Sequence, residues 1–116
     1  MSDYVIYHNP RCSKSRATLA LLKERDIDPD IVLYLETPPD VGELKDLLGK
    51  LDKRAAEIVR RGEAEYKACG LGKDSSEADI VAAMADHPRL IERPIVVRGD
   101  RAVLGRPPEN VLELIG

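Results

Sequence analysis

One of the two cysteines, Cys12, stands among basic residues in a segment that could form a nucleophile site. His8, Arg11, Lys14 and Arg16 surround it in the stretch HNPRCSKSR. A β-branched run precedes this stretch and a helical pattern follows it, so Cys12 is expected at or just before a helix N-terminus. Free amides and the macrodipole there stabilise a thiolate, and the same amides can bind an oxyanion. The pattern favours a reactive cysteine over a buried structural one.

Other polar residues of the chain have structural explanations beside the chemical ones. His8 alone is more typical of a strand end than of an acid–base group. Ser15 is equally consistent with a first-turn cap and with a hydrogen-bond donor to a thiolate. The second cysteine, Cys69, has no cationic cluster around it, and we interpret it as a packing residue.

Arginines outside this segment are candidate anion ligands. Arg93 and Arg106 each directly precede a proline, at the two edges of a predicted hairpin. Chain geometry could bring both toward the Cys12 loop. Spacing does not distinguish Arg60 from its neighbours, and each of these arginines is also consistent with a solvated surface charge.

The hydrophobic pattern predicts elements in the order strand, helix, strand, helices, hairpin, helix. The strands are predicted at residues 4–7, 31–35, 94–98 and 102–104, the last two joined by a Gly99-Asp100 turn. The run 31–35 is continuously apolar, which is typical of a strand buried on both faces. Helices are predicted from Ser13 (as the cap), after Asp40, through residues 55–59, from Ser75 or Ser76, and from Pro107.

These elements predict an α/β fold. The strand–helix–strand unit requires parallel strands with a right-handed crossover, whereas the hairpin requires antiparallel ones. The result is a small mixed four-stranded sheet with flanking helices, the thioredoxin-like arrangement. Residues of about 40–88 form an all-helical insert, and residues 1–116 are expected to form a single domain.

Composition excludes several classes of function. The net charge is −3, and the aromatic residues are four Tyr with neither Phe nor Trp, which argues against nucleic-acid binding. No signal peptide and no apolar run of ~20 residues is visible, so we expect a cytoplasmic protein without a membrane span. Two Cys and two His at unrelated spacings predict no metal site, and a structural disulfide is not expected.

Five separated motifs together resemble the glutaredoxin-coupled arsenate reductase family over essentially the whole chain. In order they are Tyr7–Pro10 with Cys12, Ser15 and Arg16; Leu33–Pro39; His87-Pro88; Arg93–Val97; and Gly105–Pro107. Arg11, Ser13 and Lys14 resemble the short, chromosomally encoded branch of that family.

The resemblance implies a thioredoxin-like fold and an enzyme that reduces arsenate to arsenite through a covalent adduct on Cys12. It implies further roles for seven residues: Arg60, Arg93 and Arg106 as oxyanion ligands, Pro94 as a cis-proline facing the Cys12 loop, and His8, Ser15 and Arg16 as supporting residues. No bound cofactor is implied. Glutathione is the implied co-substrate, and glutaredoxin is the implied partner that clears the mixed disulfide.

Two other functions stay open. The same site could reduce another thiol or oxyanion substrate, such as a glutathione adduct. The chain could instead be a non-enzymatic regulator of the same superfamily that binds RNA polymerase. Such regulators typically carry a Cys-x-x-Cys switch, and Ser15 stands where its second cysteine would be.

Overall fold

The structure is a computed structural model that describes residues 3–115. Their internal contacts divide them into two units, one made of residues 3–37 and 93–115 and the other of residues 38–92. The first unit contains the sheet, and the second is built from helices.

The elements follow the predicted order. The strands are β1 (Tyr4–His8), β2 (Asp30–Leu33), β3 (Ile95–Arg98) and β4 (Arg101–Leu104). The helices are α1 (Ser13–Glu24), α2 (Val41–Leu51), α3 (Ala55–Ile58), α4 (Ala64–Ala68), α5 (Glu77–Asp86) and α6 (Leu112–Ile115). Short 3₁₀ turns at Pro88–Leu90 and Pro108–Val111 precede β3 and α6 respectively.

The sheet is the mixed four-stranded one that the sequence predicts. Its strand order is β2-β1-β3-β4, with β1 parallel to β2 and antiparallel to β3. β3 and β4 form the predicted hairpin, and Gly99 in its turn has a φ of +62°, which glycine adopts at no steric cost. This is the thioredoxin-like arrangement, because a parallel βαβ unit is followed by an antiparallel hairpin on the other side of β1.

The apolar side chains of the sheet unit form one core. Ile6 of β1 and Val96 of β3 are fully buried and belong to one cluster with Leu22 of α1. Val111 and Leu114 from the C-terminal helical segment complete this cluster. Burial of such aliphatic side chains contributes roughly 1.5–3 kcal/mol each, so the core joins β1, α1, the hairpin and the C-terminal helical segment.

The prediction that β2 is buried on both faces is wrong. β2 pairs with β1 alone among the described strands, and the side chains of Ile31 and Leu33 are 46% and 36% exposed. A continuous apolar run is typical of a central strand, but burial depends on which neighbours the strand acquires. Here β2 lies at the sheet edge, where an apolar run stays open to solvent.

The helical unit is held by its own apolar layer. α2 and α3 pack against α5, and Leu44, Ile58, Val81 and Met84 are almost completely buried. Asp40 begins α2 with a capping box, in which its side chain accepts a hydrogen bond from the Glu43 amide at 2.8 Å.

The short helices of this unit differ in part from the prediction. Ser76 is the N-cap of α5, as the sequence predicts. α3 ends at Ile58, and α4 is a separate helix that the apolar pattern does not reveal. α4 buries no residue, which explains why it leaves no apolar periodicity. No helix in the described part of the chain is long and apolar enough to cross a membrane.

Candidate active site

Cys12 occupies the N-cap position of α1. Its backbone is extended, with φ −96° and ψ 122°, and its carbonyl accepts a hydrogen bond from the Arg16 amide at 3.0 Å. The Cys12 amide donates to the Asn9 carbonyl at 3.0 Å, which closes a tight turn before the helix. Ser13, the expected cap, is instead the first helical residue. The cap moves by one residue because the turn closed by Asn9 ends at Cys12. Cys12 therefore directly precedes the first turn, whose amides a helix leaves free, and its side chain makes no capping hydrogen bond.

Ser15 ties this turn to the end of β1. Its side chain is buried, and its Oγ atom accepts a hydrogen bond from the Asn9 amide at 3.0 Å. The same Oγ lies 2.6 Å from Nδ1 of His8, the last residue of β1. Ser15 therefore links the end of β1 to the loop through its hydrogen bonds. Asn9, to which the sequence analysis assigned no role, is a positioning residue.

Exposed cations complete the loop. Nη1 of Arg16 donates to the Pro10 carbonyl at 2.8 Å, so this guanidinium spans the loop from the first turn of α1. The amide of Arg11 donates to Oδ1 of Asn9 at 3.0 Å. Both contacts restrict the backbone around Cys12, which is itself half-buried.

His8 is buried at the end of β1, and its pKa is lowered from the usual value of 6.5. The first cause is desolvation, because burial disfavours the charged imidazolium; the positive charges of Arg16 and Lys23 lower the pKa further. The imidazole is therefore neutral at pH 7, and its Nδ1 contact with Ser15 is one between neutral groups.

This lowered pKa predicts a pH-dependent stability. Below pH 6.5 the unfolded chain protonates His8 while the native chain resists, so the free energy of unfolding should fall as pH drops from 6.5 toward the lower native pKa. Urea unfolding of the wild type and His8→Gln at several pH values measures this loss. His87→Gln keeps His8 and should retain the loss, whereas His8→Gln should reduce it. Parallel pH profiles for wild type and His8→Gln would contradict the prediction.

Arg106 contacts the cysteine directly. Its Nη1 atom lies 3.9 Å from Sγ of Cys12 and donates to the Arg93 carbonyl at 3.2 Å. The side-chain amide of Asn110 donates to the carbonyls of Arg106 at 3.1 Å and of Leu104 at 3.2 Å, which fixes the loop that carries the guanidinium. A fixed cation beside the sulfur attracts an incoming anion.

Arg93 and Pro94 directly precede β3. The Arg93–Pro94 peptide bond is cis, as the resemblance implies, and Pro94 is buried. Arg93 is half-buried, and its Nε atom is shielded from solvent. Because its carbonyl accepts from Arg106, the two arginines predicted from the X-Pro pairs are brought together, and Arg106 reaches Cys12.

Gly105 and Thr18 support this cluster. The sequence analysis assigned a role to neither, although Gly105 belongs to one of the motifs of the resemblance. Thr18 is fully buried on α1, and its Oγ1 donates to the Lys14 carbonyl at 2.8 Å. The same Oγ1 lies 3.4 Å from the Gly105 carbonyl oxygen. The Gly105 amide donates a hydrogen bond to the Pro94 carbonyl at 2.9 Å. One signal could have shown this: Ser15 and Thr18 are three residues apart on one helix face, beside Leu22.

Gly105→Ala should destabilise the fold. An added Cβ would lie 2.5 Å from Oγ1 of Thr18 and 2.8 Å from Cγ of Pro94, and both of these side chains are stiff and buried. We expect a loss of about 1–3 kcal/mol in the free energy of unfolding measured in urea. Gly72→Ala is the matched control, since its Cβ would meet nothing within 4 Å. A loss of unfolding free energy no larger than that of Gly72→Ala would contradict the prediction, because it would show that the Gly105 backbone and Thr18 of α1 can move apart to admit the methyl group.

Arg60 belongs to the helical unit, where carboxylates hold its guanidinium. Nη1 lies 2.6 Å from Oε1 of Glu63, and Nε lies 3.5 Å from Oε1 of Glu92. Glu63 also pairs with Arg89 at 3.2 Å. The side chains of Glu63 and Glu92 are only 18% and 27% exposed, so Arg60 would have to exchange a partly shielded carboxylate for an oxyanion.

The second cysteine of the chain lies in an open environment. Cys69 follows α4 and is exposed, so the interpretation of Cys69 as a packing residue is wrong. It caps a helix that buries nothing, which is why no core forms around it.

Within residues 3–115, no three or more His, Cys, Asp or Glu side chains cluster in a way that could hold a metal ion.

The chain is similar to known proteins over almost its whole length. The ArsC family model matches residues 7–114. The chain is 55% identical over 113 residues to the protein YfgD of Escherichia coli K12, covering 96% of this chain and 95% of that one. It is 49% identical to an arsenate reductase of Neisseria meningitidis, with 96% and 97% covered. The solved structure of an arsenate reductase from Vibrio cholerae superposes with a TM-score of 0.91 at 52% identity, covering 95% of each chain. The family match over residues 7–114 and the relatives at 55% and 49% identity over almost their whole length show that the chain belongs to the ArsC family.

Proposed function

We propose that this chain reduces arsenate to arsenite, with Cys12 as the nucleophile, glutathione as the co-substrate and glutaredoxin as the partner. The observation that carries the proposal is the contact of Arg106 Nη1 with Cys12 Sγ at 3.9 Å. A guanidinium there can hold an oxyanion against the sulfur during the reaction. Family membership supports the same chemistry, since relatives at 49% identity are named arsenate reductases.

In the first step the thiolate of Cys12 attacks arsenic. A sulfur–arsenic bond forms and one arsenate oxygen leaves as hydroxide, which takes a proton to become water. Arg106 and Arg93 would hold the remaining oxygens in charge-assisted hydrogen bonds, and Arg60 would be the third ligand. Four further residues act as positioning residues in this scheme, because their hydrogen bonds are made to the backbone or side chains of the surrounding loops: His8, Ser15, Arg16 and Pro94.

In the second step a glutathione thiolate attacks the sulfur of the adduct. A disulfide forms between Cys12 and glutathione, and the sulfur–arsenic bonding pair remains on arsenic, which falls from the +5 to the +3 state. Arsenite leaves and takes protons from water. Glutaredoxin then attacks the glutathione sulfur of the mixed disulfide and releases the Cys12 thiolate.

The lack of a cysteine beside Cys12 supports an external thiol donor. Both cysteines are free, and Ser15 stands where a resolving thiol would be needed. In this scheme an external thiol supplies the second sulfur. We place the reaction in the cytoplasm, where glutathione keeps thiols reduced.

A coupled assay tests the donor and the substrate together. Arsenate-dependent NADPH oxidation should occur with glutathione, glutaredoxin and glutathione reductase, and should be absent when thioredoxin and thioredoxin reductase replace them. Turnover with the thioredoxin set alone would overturn the donor assignment. No turnover with either set, when both reduce a standard disulfide, would overturn arsenate as the substrate.

A further inference from the structure

A cleft of about 300 Å³ opens beside the Cys12 loop. Its walls are residues 8–11 on one side and Leu33, Leu35 and Glu36 on the other. Residues 8–11 lead directly into Cys12, and Leu33 lies beside His8 in the parallel register of β1 and β2. An occupant of the cleft would therefore lie next to the candidate nucleophile.

Two of the residues that line the cleft are exposed leucines, and their exposure does not contribute to the core of the fold. Leu33 and Leu35 are 36% and 41% exposed, while Tyr34 between them is 2% exposed. This alternation turns both leucines outward, where neighbouring exposed aliphatic side chains gain nothing for folding. Adjacent exposed aliphatic groups beside a reactive residue are typical of a binding surface.

The cleft also carries one charge of each sign. Arg11 supplies a guanidinium and Glu36 a carboxylate, and within residues 3–115 neither side chain forms an ion pair or a hydrogen bond. The Glu36 amide donates to the Leu33 carbonyl at 2.9 Å, which holds the residue in a turn at the end of the cleft. The two uncommitted charges fit a ligand with both an anionic and a cationic end.

We infer that this cleft binds the thiol co-substrate of the reaction, a small peptide thiol with a carboxylate that pairs with Arg11 and an ammonium that pairs with Glu36. The inference rests on the proposed function and adds the site of its second substrate. The volume lies at the lower end of the ~300–1,000 Å³ range of small-molecule sites, which suits a short peptide. The leucines contact the peptide's aliphatic parts, and its thiol points toward Cys12.

Direct binding tests the cleft without any arsenate chemistry. The probe is S-methylglutathione, which cannot react, titrated into the ¹⁵N-labelled full chain. Amide shifts should concentrate at residues 9–11 and 33–36. Glu36→Gln and Arg11→Gln should each weaken binding about tenfold, the effect of losing one hydrogen bond to a charged group. Glu24→Gln and Arg25→Gln remove exposed charges of the same types at the end of α1 and are the matched controls.

Steady-state kinetics provides the second readout. Glu36→Gln and Leu35→Ser should raise the KM for glutathione about tenfold and leave the KM for arsenate unchanged. Probe shifts in the cleft support the inference even if arsenate is not turned over, so its failure is separate from that of the proposed function. Arsenate turnover with shifts elsewhere would overturn it. An increase only in the half-saturating concentration of glutaredoxin would also overturn it, since the cleft would then bind the protein partner.

Discussion

Cys12→Ser should abolish arsenate turnover, with a loss of roughly 10³-fold or more. A serine hydroxyl is not ionised near neutral pH, and its oxygen cannot form the disulfide that carries two electrons to arsenic. The Arg106 contact would remain available in this variant, so arsenate could still bind while the chemistry stops. The measurement is NADPH oxidation in the coupled glutathione and glutaredoxin assay.

Cys69→Ser is the matched control for this substitution. Cys69 is exposed at the C-terminal end of α4, in the helical unit, and should keep wild-type turnover. Mass spectrometry of the wild type after a single turnover without glutaredoxin should show one glutathione on Cys12 and none on Cys69. Residual turnover in Cys12→Ser above the no-enzyme background would remove Cys12 from the role of nucleophile.

Arg106→Ala should lower kcat/KM for arsenate by about 10²–10³-fold, comparable with the loss of one preorganised donor to a developing oxyanion. Nη1 of Arg106 bonds both Cys12 Sγ and the Arg93 carbonyl, so its charge is held in place before the substrate arrives. The kcat/KM of Arg106→Lys for arsenate should lie between that of the wild type and that of Arg106→Ala. An ammonium keeps the charge but lacks the planar fork that binds two oxygens at once.

The control for Arg106 is Arg101→Ala, an exposed arginine on β4 of the same hairpin. It should leave kcat/KM unchanged within threefold, which separates a specific contact from a general loss of positive charge. Urea unfolding of Arg106→Ala checks that the fold survives. A folded Arg106→Ala that keeps kcat/KM within threefold of wild type would show that Arg106 does not bind the substrate.

Much of the fold follows from signals that act over a few residues. The Asp40 and Ser76 caps begin helices by satisfying amides that any helix leaves free. Gly99 with its positive φ makes the hairpin turn. Such interactions need no distant partner, so they are legible in the sequence and the structure confirms them.

The nucleophile is predictable for the same reason. The strand signal before His8 and the helical pattern after Ser13 place Cys12 at a helix N-terminus without any tertiary information. The exact cap was wrong by one residue, because the turn closed by Asn9 decides where α1 begins. A turn of this kind depends on backbone angles that residue types only weakly specify.

The site around the cysteine depends on packing that no local pattern encodes. Arg106 lies 94 positions from Cys12 in the chain, and only the sheet order β2-β1-β3-β4 brings its hairpin to the α1 terminus. The close approach of Gly105 to Thr18 and Pro94 has the same origin. The prediction that β2 is buried on both faces is wrong because the exposure of its apolar side chains depends on the strands beside it.

The sequence by itself therefore determined the order of the elements, the mixed sheet and the position of the thiol, since these follow from the chain's local chemistry and hydrophobic period. Only the tertiary structure decided that Arg106 contacts Sγ, that Ser15 and Thr18 brace the loops, and that Leu33 stays open to solvent. The physical reason is that contacts between distant residues depend on which surfaces the packed elements share, and that is a property of the assembled fold.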